Sequence, residues 1–132
     1  MSDNNSQKHI FILYVADQQL SKQFYQKLFG AEPYMDVPGI TQFDLPGGAA
    51  RLGIMPEKGI AAILGNAVPH PSAGSGIPRA EVYLYVTDPD HYYLQFIEAG
   101  GTAVSAGEMR NWGEYVAYGA DPDGHIWAFA KN

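Results

Sequence analysis

The sequence contains no cysteine, which excludes disulfide bonds, thiolate metal sites and a thiol nucleophile. Long apolar runs are missing as well. No stretch approaches the roughly 20 residues that a bilayer-spanning helix needs, and the start, MSDNNSQKH, is polar with no basic region leading into an apolar core. A soluble, cytoplasmic protein without a membrane partner is therefore expected. Positive charge is scarce: 8 Lys and Arg stand against 14 Asp and Glu, for a formal charge of -6, and the basic residues are scattered. Such a surface repels a phosphate backbone, so no nucleic-acid partner is expected. The glycine-rich stretches GGAARLG and GNAVPHPSAGSG lack the Lys-Ser/Thr ending of a phosphate loop. No serine sits in a nucleophile-elbow pattern.

What the chain has in abundance is aromatic residues and an internal repeat. Nine tyrosines, six phenylalanines and two tryptophans are spread over 132 residues; that length suits one domain with a real core. Most of the rings belong in that core, but tyrosines also line small-molecule clefts, because each has an apolar face and a polar tip. The repeat pairs HIFILYVADQQLSKQFYQKLFG with AEVYLYVTDPDHYYLQFIEAGG. At one constant offset Leu13 falls on Leu84, Tyr14 on Tyr85, Val15 on Val86, Asp17 on Asp88, Tyr25 on Phe96 and Gly30 on Gly101. Each copy reads as a strand, an Asp that caps a helix, the helix, and a terminating Gly. A single duplication of this kind indicates a doubled half-domain rather than a solenoid.

In chain order, residues 1–8 read as a loose terminus, and Ile10 to Val15 as a strand covered on both faces. Asp17 opens a helix whose stripe of Leu20, Phe24 and Leu28, with Tyr25 and Phe29, ends at Gly30. Strands follow at 32–37, 40–45 and 50–55. Residues 56–78, with four prolines and a small-residue run, read as the connection between halves, its middle (60–64) apolar enough to pack. The second half repeats the plan: a strand over 80–87, a helix from Asp88-Pro89 to Ala99, then strands at 102–105, 112–120 and 125–130. The last two are joined by the turn Asp121-Pro122-Asp123-Gly124. The fold class predicted is α+β: a first βαβββ module over 9–55, the linker over 56–78, and a second module over 79–132, together one domain over 9–132.

With YVAD before FYQKLFG in the first half and DPDGHIWAF closing the second, this pattern resembles the vicinal oxygen chelate superfamily, which includes glyoxalase I, extradiol dioxygenases, fosfomycin-modifying enzymes and bleomycin-binding resistance proteins. The resemblance covers the chain from residue 9 to its end. It implies two βαβββ modules forming a curved mixed sheet around a cleft, completed by dimerisation, so a homodimer is expected. In metal-using relatives four side chains facing the cleft hold the ion. One lies seven residues before the Asp that ends each module's first strand, and one lies on each module's last strand. Carried over, these positions are Ile10, Glu81, Leu52 or Gly53 depending on register, and Ala128. A divalent ion needs three or four donors converging at about 2.0 to 2.2 Å, and Glu81 alone cannot supply them. No metal and no other cofactor is expected.

If Glu81 faces the cleft, strand alternation sends Tyr83 and Tyr85 the same way and turns Val82, Leu84 and Val86 to the helices. The first copy contributes Ile10, Ile12 and Tyr14. Trp112 and Tyr115, in RNWGEYVAYGADPDGH, resemble the ligand-stacking strand of drug-binding members; the competing account for Trp112 is a core residue. Phe43 and Arg51 are the pseudo-symmetric contributors, with a surface salt bridge the competing account for Arg51. Glu81 is equally open to a role in the cleft or to pairing with Arg79, Arg51 or Arg110. Trp127 and Phe129 belong to the core. The ligand-binding set is thus Phe43, Glu81, Tyr83, Tyr85, Trp112 and Tyr115. The function expected is metal-independent binding of a small molecule, such as sequestration of an antibiotic or toxic metabolite. The alternatives are a glyoxalase-like lyase, isomerase or dioxygenase using Glu81 as catalytic base or metal ligand, and a domain whose cleft is vestigial.

Overall fold

The computed structural model describes residues 7–132, so most of the loose terminus expected over 1–8 lies outside the described residues; Lys8 is tied down, its Nζ 2.9 Å from Asp44 Oδ1. Two units of the same topology follow each other. The first comprises β1 (His9–Val15), α1 (Gln18–Phe29), β2 (Met35–Val37), β3 (Ile40–Asp44) and β4 (Ala50–Pro56). After α2 (Glu57–Leu64), the second comprises β5 (Glu81–Tyr85), α3 (Pro89–Glu98), β6 (Thr102–Met109), β7 (Tyr115–Ala120) and β8 (Ile126–Lys131). Their sheets run in the orders β1-β4-β3-β2 and β5-β8-β7-β6, with the first strand parallel to the last in each. The chain is the α+β double βαβββ arrangement that its repeat predicts.

The caps are local. Asp17 Oδ1 accepts from the amides of Gln19 and Leu20 at 3.0 Å each, satisfying donors that a helix start leaves orphaned. Gly30 closes α1 in the left-handed conformation at φ 62°, a region in which only glycine is unstrained. Asp88 repeats the cap for α3 through the His91 amide, with Pro89 in the first turn.

Both helices lie on the same side and share one core. Phe24 of α1 meets Phe96 of α3 edge-on, with ring centroids 5.0 Å apart. Tyr25, fully buried, packs on Trp127 of β8. Hydrogen bonds lock this joint: the Trp127 indole N–H donates to the Tyr25 hydroxyl at 3.0 Å, and that hydroxyl donates to the buried carboxylate of Asp121. Burial first, then the Asp121 charge, pushes the Tyr25 phenol well above its ordinary pKa. Asp123 adds a second tie by accepting from the Ala16 amide at 2.9 Å. The Asp-Pro-Asp-Gly turn therefore closes its hairpin and also fastens the second module to α1. Gly124 is required there: φ is 90°, and a Cβ would lie 3.0 Å from the Gly76 Cα.

Several expectations are corrected. The 56–78 connection joins the two units and packs through its middle, but part of it is regular: α2 is an amphipathic helix of about two turns that buries Ile60 and leaves Ile63 exposed, and two short 3-10 turns follow at Gly65–Ala67 and Pro71–Gly74. Strand β1 is not covered on both faces; Ile10, Phe11, Ile12 and Tyr14 are all exposed. Strand β6 extends to Met109 with two register shifts, while β7 starts at Tyr115, because residues 110–114 form a turn closed by the Arg110 amide on the Glu114 carbonyl at 2.8 Å. No helix among the described residues is long and apolar enough to cross a membrane.

Candidate functional site

The helices cover one side of each sheet, and the opposite side is open. On β5 the pleat turns Val82 and Leu84 into the core, which places Glu81, Tyr83 and Tyr85 on the open face. Beside them β8 contributes Ile126, paired with Glu81, and the small residues Ala128 and Ala130, paired with Tyr83 and Tyr85. These small residues let Tyr83 and Tyr118 close over a cluster with Val116.

The polar tips on this face converge. Tyr83 and Tyr85 meet edge-on at 5.5 Å. The Tyr83 hydroxyl donates to Glu114 Oε1 and accepts from the Trp112 indole N–H at 3.0 Å. Burial, followed by the hydrogen bond to Glu114, pushes the Tyr83 phenol up to about 12. In return Tyr83 first, then Tyr85, hold Glu114 below the usual carboxylate range. Trp112 is 54% exposed and Tyr85 63% exposed, so both rings offer faces to solvent beside a fixed anion. Arg110 completes the rim: its Nη2 donates to Ser105 Oγ at 2.7 Å and to the Val116 carbonyl at 2.9 Å, and its guanidinium lies 5.2 Å from the Tyr118 ring centre. The Tyr83–Glu114 coupling has a direct readout. Tyrosine ring NMR should show Tyr83 ionising near pH 12, and Glu114→Gln should move that midpoint toward the ordinary 10.0; a midpoint near 10.0 in the unmodified chain would contradict the coupling.

The structure brings four of the expected ligand residues, Glu81, Tyr83, Tyr85 and Trp112, to one face, and separates two from it. Phe43 is 1% exposed and sits among Tyr25 and Phe29 in the helix-side core, because it pairs with the core residue Leu52. Tyr115 is also turned to the helix side, where its hydroxyl donates to Asp90 of α3 at 2.7 Å. With β7 beginning at Tyr115, the pleat that puts Val116 and Tyr118 on the open face turns Tyr115 away. Arg51 pairs with Asp44 at 3.1 Å and lies 3.4 Å over the Tyr34 ring. Glu81 is exposed, with no ion pair to Arg79, Arg51 or Arg110 among the described residues. The residue that sequence reasoning missed is Glu114. Its signal was an acidic residue between Gly113 and the strand, in a stretch read only for its aromatics.

The metal positions can be tested on geometry. Register selects Gly53 over Leu52, since Gly53 pairs with Ile12 while Leu52 is fully buried with the core. A Cβ at Gly53 would meet the Ile10 and Ile12 side chains at 3.0 and 3.2 Å, so isoleucine methyls fill the space that a ligating side chain would cross. Ala128 lies buried in the cluster with Tyr83 and Tyr118. The residues do not fit a divalent ion at this place. Elsewhere, Asp121, Asp123 and His125 have donor atoms within 4.8 Å of one another. Their carboxylates already accept from Tyr25, Ser21, Ala16 and the backbone of the turn.

The profile of the Glyoxalase/Bleomycin resistance protein/Dioxygenase superfamily matches residues 6–129. The chain belongs to this superfamily. An uncharacterized protein of Mycobacterium tuberculosis strain H37Rv is 31% identical over 127 residues, spanning 90% of this chain and 71% of its own length; an uncharacterized Mycobacterium bovis protein is equally similar, with 79% of its length spanned. Among solved structures, a glyoxalase-related enzyme from Fulvimarina pelagi has a TM-score of 0.78 at 24% identity, covering 97% of this chain and 89% of that one. A superfamily enzyme from Burkholderia phytofirmans has a TM-score of 0.76 at 17% identity, covering 92% and 94%. At these identities the structural likeness carries the glyoxalase-type fold, and the superfamily chemistry has to be argued from this chain's own residues.

Proposed function

We propose that this superfamily member is a metal-independent small-molecule-binding protein, a cytoplasmic homodimer that sequesters a flat, partly apolar ligand carrying a hydrogen-bond donor or a positive charge. The observation that carries the reading is the Trp112–Tyr83–Glu114 arrangement: two exposed rings, Trp112 and Tyr85, beside a carboxylate whose ionised form its neighbours favour. A cation over an indole gains roughly 0.5 to 2 kcal/mol, and a carboxylate within reach adds a charge-assisted hydrogen bond. Glu81 supplies a second anion on the same face. Sequestration needs affinity alone, which suits a face whose metal positions hold isoleucine, glycine and alanine.

The test is calorimetric titration with the planar aromatic cation proflavine. Saturable binding is expected, weakened at least about tenfold by Trp112→Ala, corresponding to roughly 1.4 kcal/mol, and weakened also by Glu114→Gln and Glu81→Gln. Added nickel, zinc or manganese should leave it unchanged. Affinity unaltered in all three variants would sink the proposal. Turnover of a thiohemiacetal or catechol abolished by Glu81→Gln would replace it with the catalytic alternative.

A further inference from the structure

A concavity adjoins the aromatic face at Glu81, where the free edges of β1 and β5 and the 71–80 segment border one space. It encloses about 640 Å³, inside the range of small-molecule sites. Its walls are largely aliphatic: Ile12 of β1, Ile77 and Pro78 of the covering segment, Val82 of β5 and Ile126 of β8, with Phe11 and Tyr14 as aromatic sides. Trp112, Tyr83 and Tyr85 take no part in it. Phe11 and Ile77 are 62% and 63% exposed, an unfavourable display that a bound apolar body would cover.

The polar groups of this cavity are asymmetric in charge. Glu57, Glu81 and Asp123 border it, against Arg79 as the fixed cation. Glu57, half-buried at the start of α2, has no ion-pair partner among the described residues and borders the cavity together with His125. His125 is held in a defined orientation, with Nδ1 2.9 Å from Asp121 Oδ2. A carboxylate only accepts, so Nδ1 carries the proton. Nε2 has no partner among the described residues. Burial lowers the pKa of this ring, but the carboxylates around it outweigh that and raise it, so Nε2 is a second donor while the ring is protonated and becomes an acceptor on the cavity wall only once the ring is neutral.

We propose that this inter-module cavity is a second ligand site, and that it takes a small aliphatic amine. The ammonium sits at the Glu57–His125 end, donating to the Glu57 carboxylate and, once the imidazole is neutral, to His125 Nε2, while the hydrocarbon body covers Phe11, Ile12 and Ile77. An anion of the same shape would face the carboxylates Glu57, Glu81 and Asp123 and bind more weakly. The site shares Glu81 with the aromatic face, so the variants that separate the two are Ser75→Trp, Glu57→Gln and Trp112→Ala.

The experiment uses the full chain and three probes that share one body, 1-adamantylamine, 1-adamantanol and 1-adamantanecarboxylate, titrated by calorimetry and by amide NMR shifts. The amine is expected to bind with its largest shifts in 75–82 and 123–126, and the carboxylate at least about tenfold more weakly. Ser75→Trp places a large ring at the exposed rim of the cavity and should abolish amine binding, with the melting temperature and the response to proflavine unchanged. Glu57→Gln should weaken the amine at least fivefold (~1 kcal/mol). Equal binding of amine and carboxylate, amine binding untouched by Ser75→Trp, or amine binding lost in Trp112→Ala would each overturn the proposal, as would no amine binding at about 10 mM, where even a millimolar site would fill. If proflavine fails to bind while the amine behaves as stated, the aromatic-face reading falls and this one remains.

Discussion

Replacing Asp121 by alanine is expected to destabilise the fold by about 3–5 kcal/mol, a value typical of removing one partner from a buried polar network. Asp121 is 3% exposed and none of its oxygens is idle. Oδ1 accepts from the amides of Asp123 and His125 at 3.0 and 2.8 Å; Oδ2 accepts from the Tyr25 hydroxyl and from His125 Nδ1. Alanine strips the acceptor from four donors at once, and each buried donor left unsatisfied costs about 1–3 kcal/mol before water or local adjustment relieves part of it. His125 loses further: burial alone would lower its pKa, but the Asp121 hydrogen bond and the charges of Asp121, Asp123 and Glu57 outweigh that and raise it. Because Tyr25 belongs to the first module and Asp121 to the second, the damage falls on the joint between them. Urea unfolding should show the loss as a lower midpoint, with a drop in melting temperature on the order of 10 °C. Tyr25→Phe, which removes one hydroxyl and keeps the ring, should cost only about 1–2 kcal/mol. An Asp121→Ala midpoint within about 1 kcal/mol of the parent would show that the network is not what holds the modules together.

The second large effect is steric. Gly119 is the next-to-last residue of β7, with its missing side chain replaced by the Phe96 ring; a Cβ there would lie 2.6 Å from two ring carbons and 3.3 Å from the Thr102 carbonyl oxygen. Phe96 is fully buried, hemmed by Phe24 at 5.0 Å and Phe129 at 5.6 Å, so it has nowhere to swing. Gly119→Ala is expected to cost about 1–3 kcal/mol by overpacking, and Gly119→Val more. The backbone at Gly119 is ordinary, since its φ lies outside the positive region, so the penalty is one of volume. Combining Gly119→Ala with Phe96→Leu should cost clearly less than the sum of the two singles, a coupling that chemical denaturation of the four chains of the cycle would measure. Additive costs would mean that Phe96 is not the obstacle. Gly101, whose Cβ would meet the same ring at 2.4 Å, shows that one phenylalanine of α3 fixes glycine at two separate places.

How far the chain could be read in advance depended on whether a feature is local. Asp17 and Asp88 cap their helices because a cap needs only the next few amides. Glu81, Tyr83 and Tyr85 share a face because alternation within one strand is covalent geometry. The same rule failed for Tyr115 because its starting point was wrong. Where a strand begins is set by the partner strand, and β7 pairs with β6 and β8 only from Tyr115 onward. Phe43 failed likewise: pairing with the core residue Leu52, in the other sheet from the β5 tyrosines, assigned its face. The helix α2 was masked by the prolines and glycines around it, since eight residues carry little periodic signal.

The sequence by itself determined the doubled topology and that Ile10, Leu52, Gly53 and Ala128 carry no ligating side chain, because a repeat fixes the order of elements and a side chain without N, O or S donor atoms cannot ligate wherever it is placed. Tertiary structure alone decided that Glu114 meets Tyr83, that Asp121 joins two modules through Tyr25, a residue 96 positions away, and that an aliphatic cavity lies between β1 and β5. Those are contacts between segments far apart in the chain, and the identity of the partner is written only in how the two sheets and their shared helices pack.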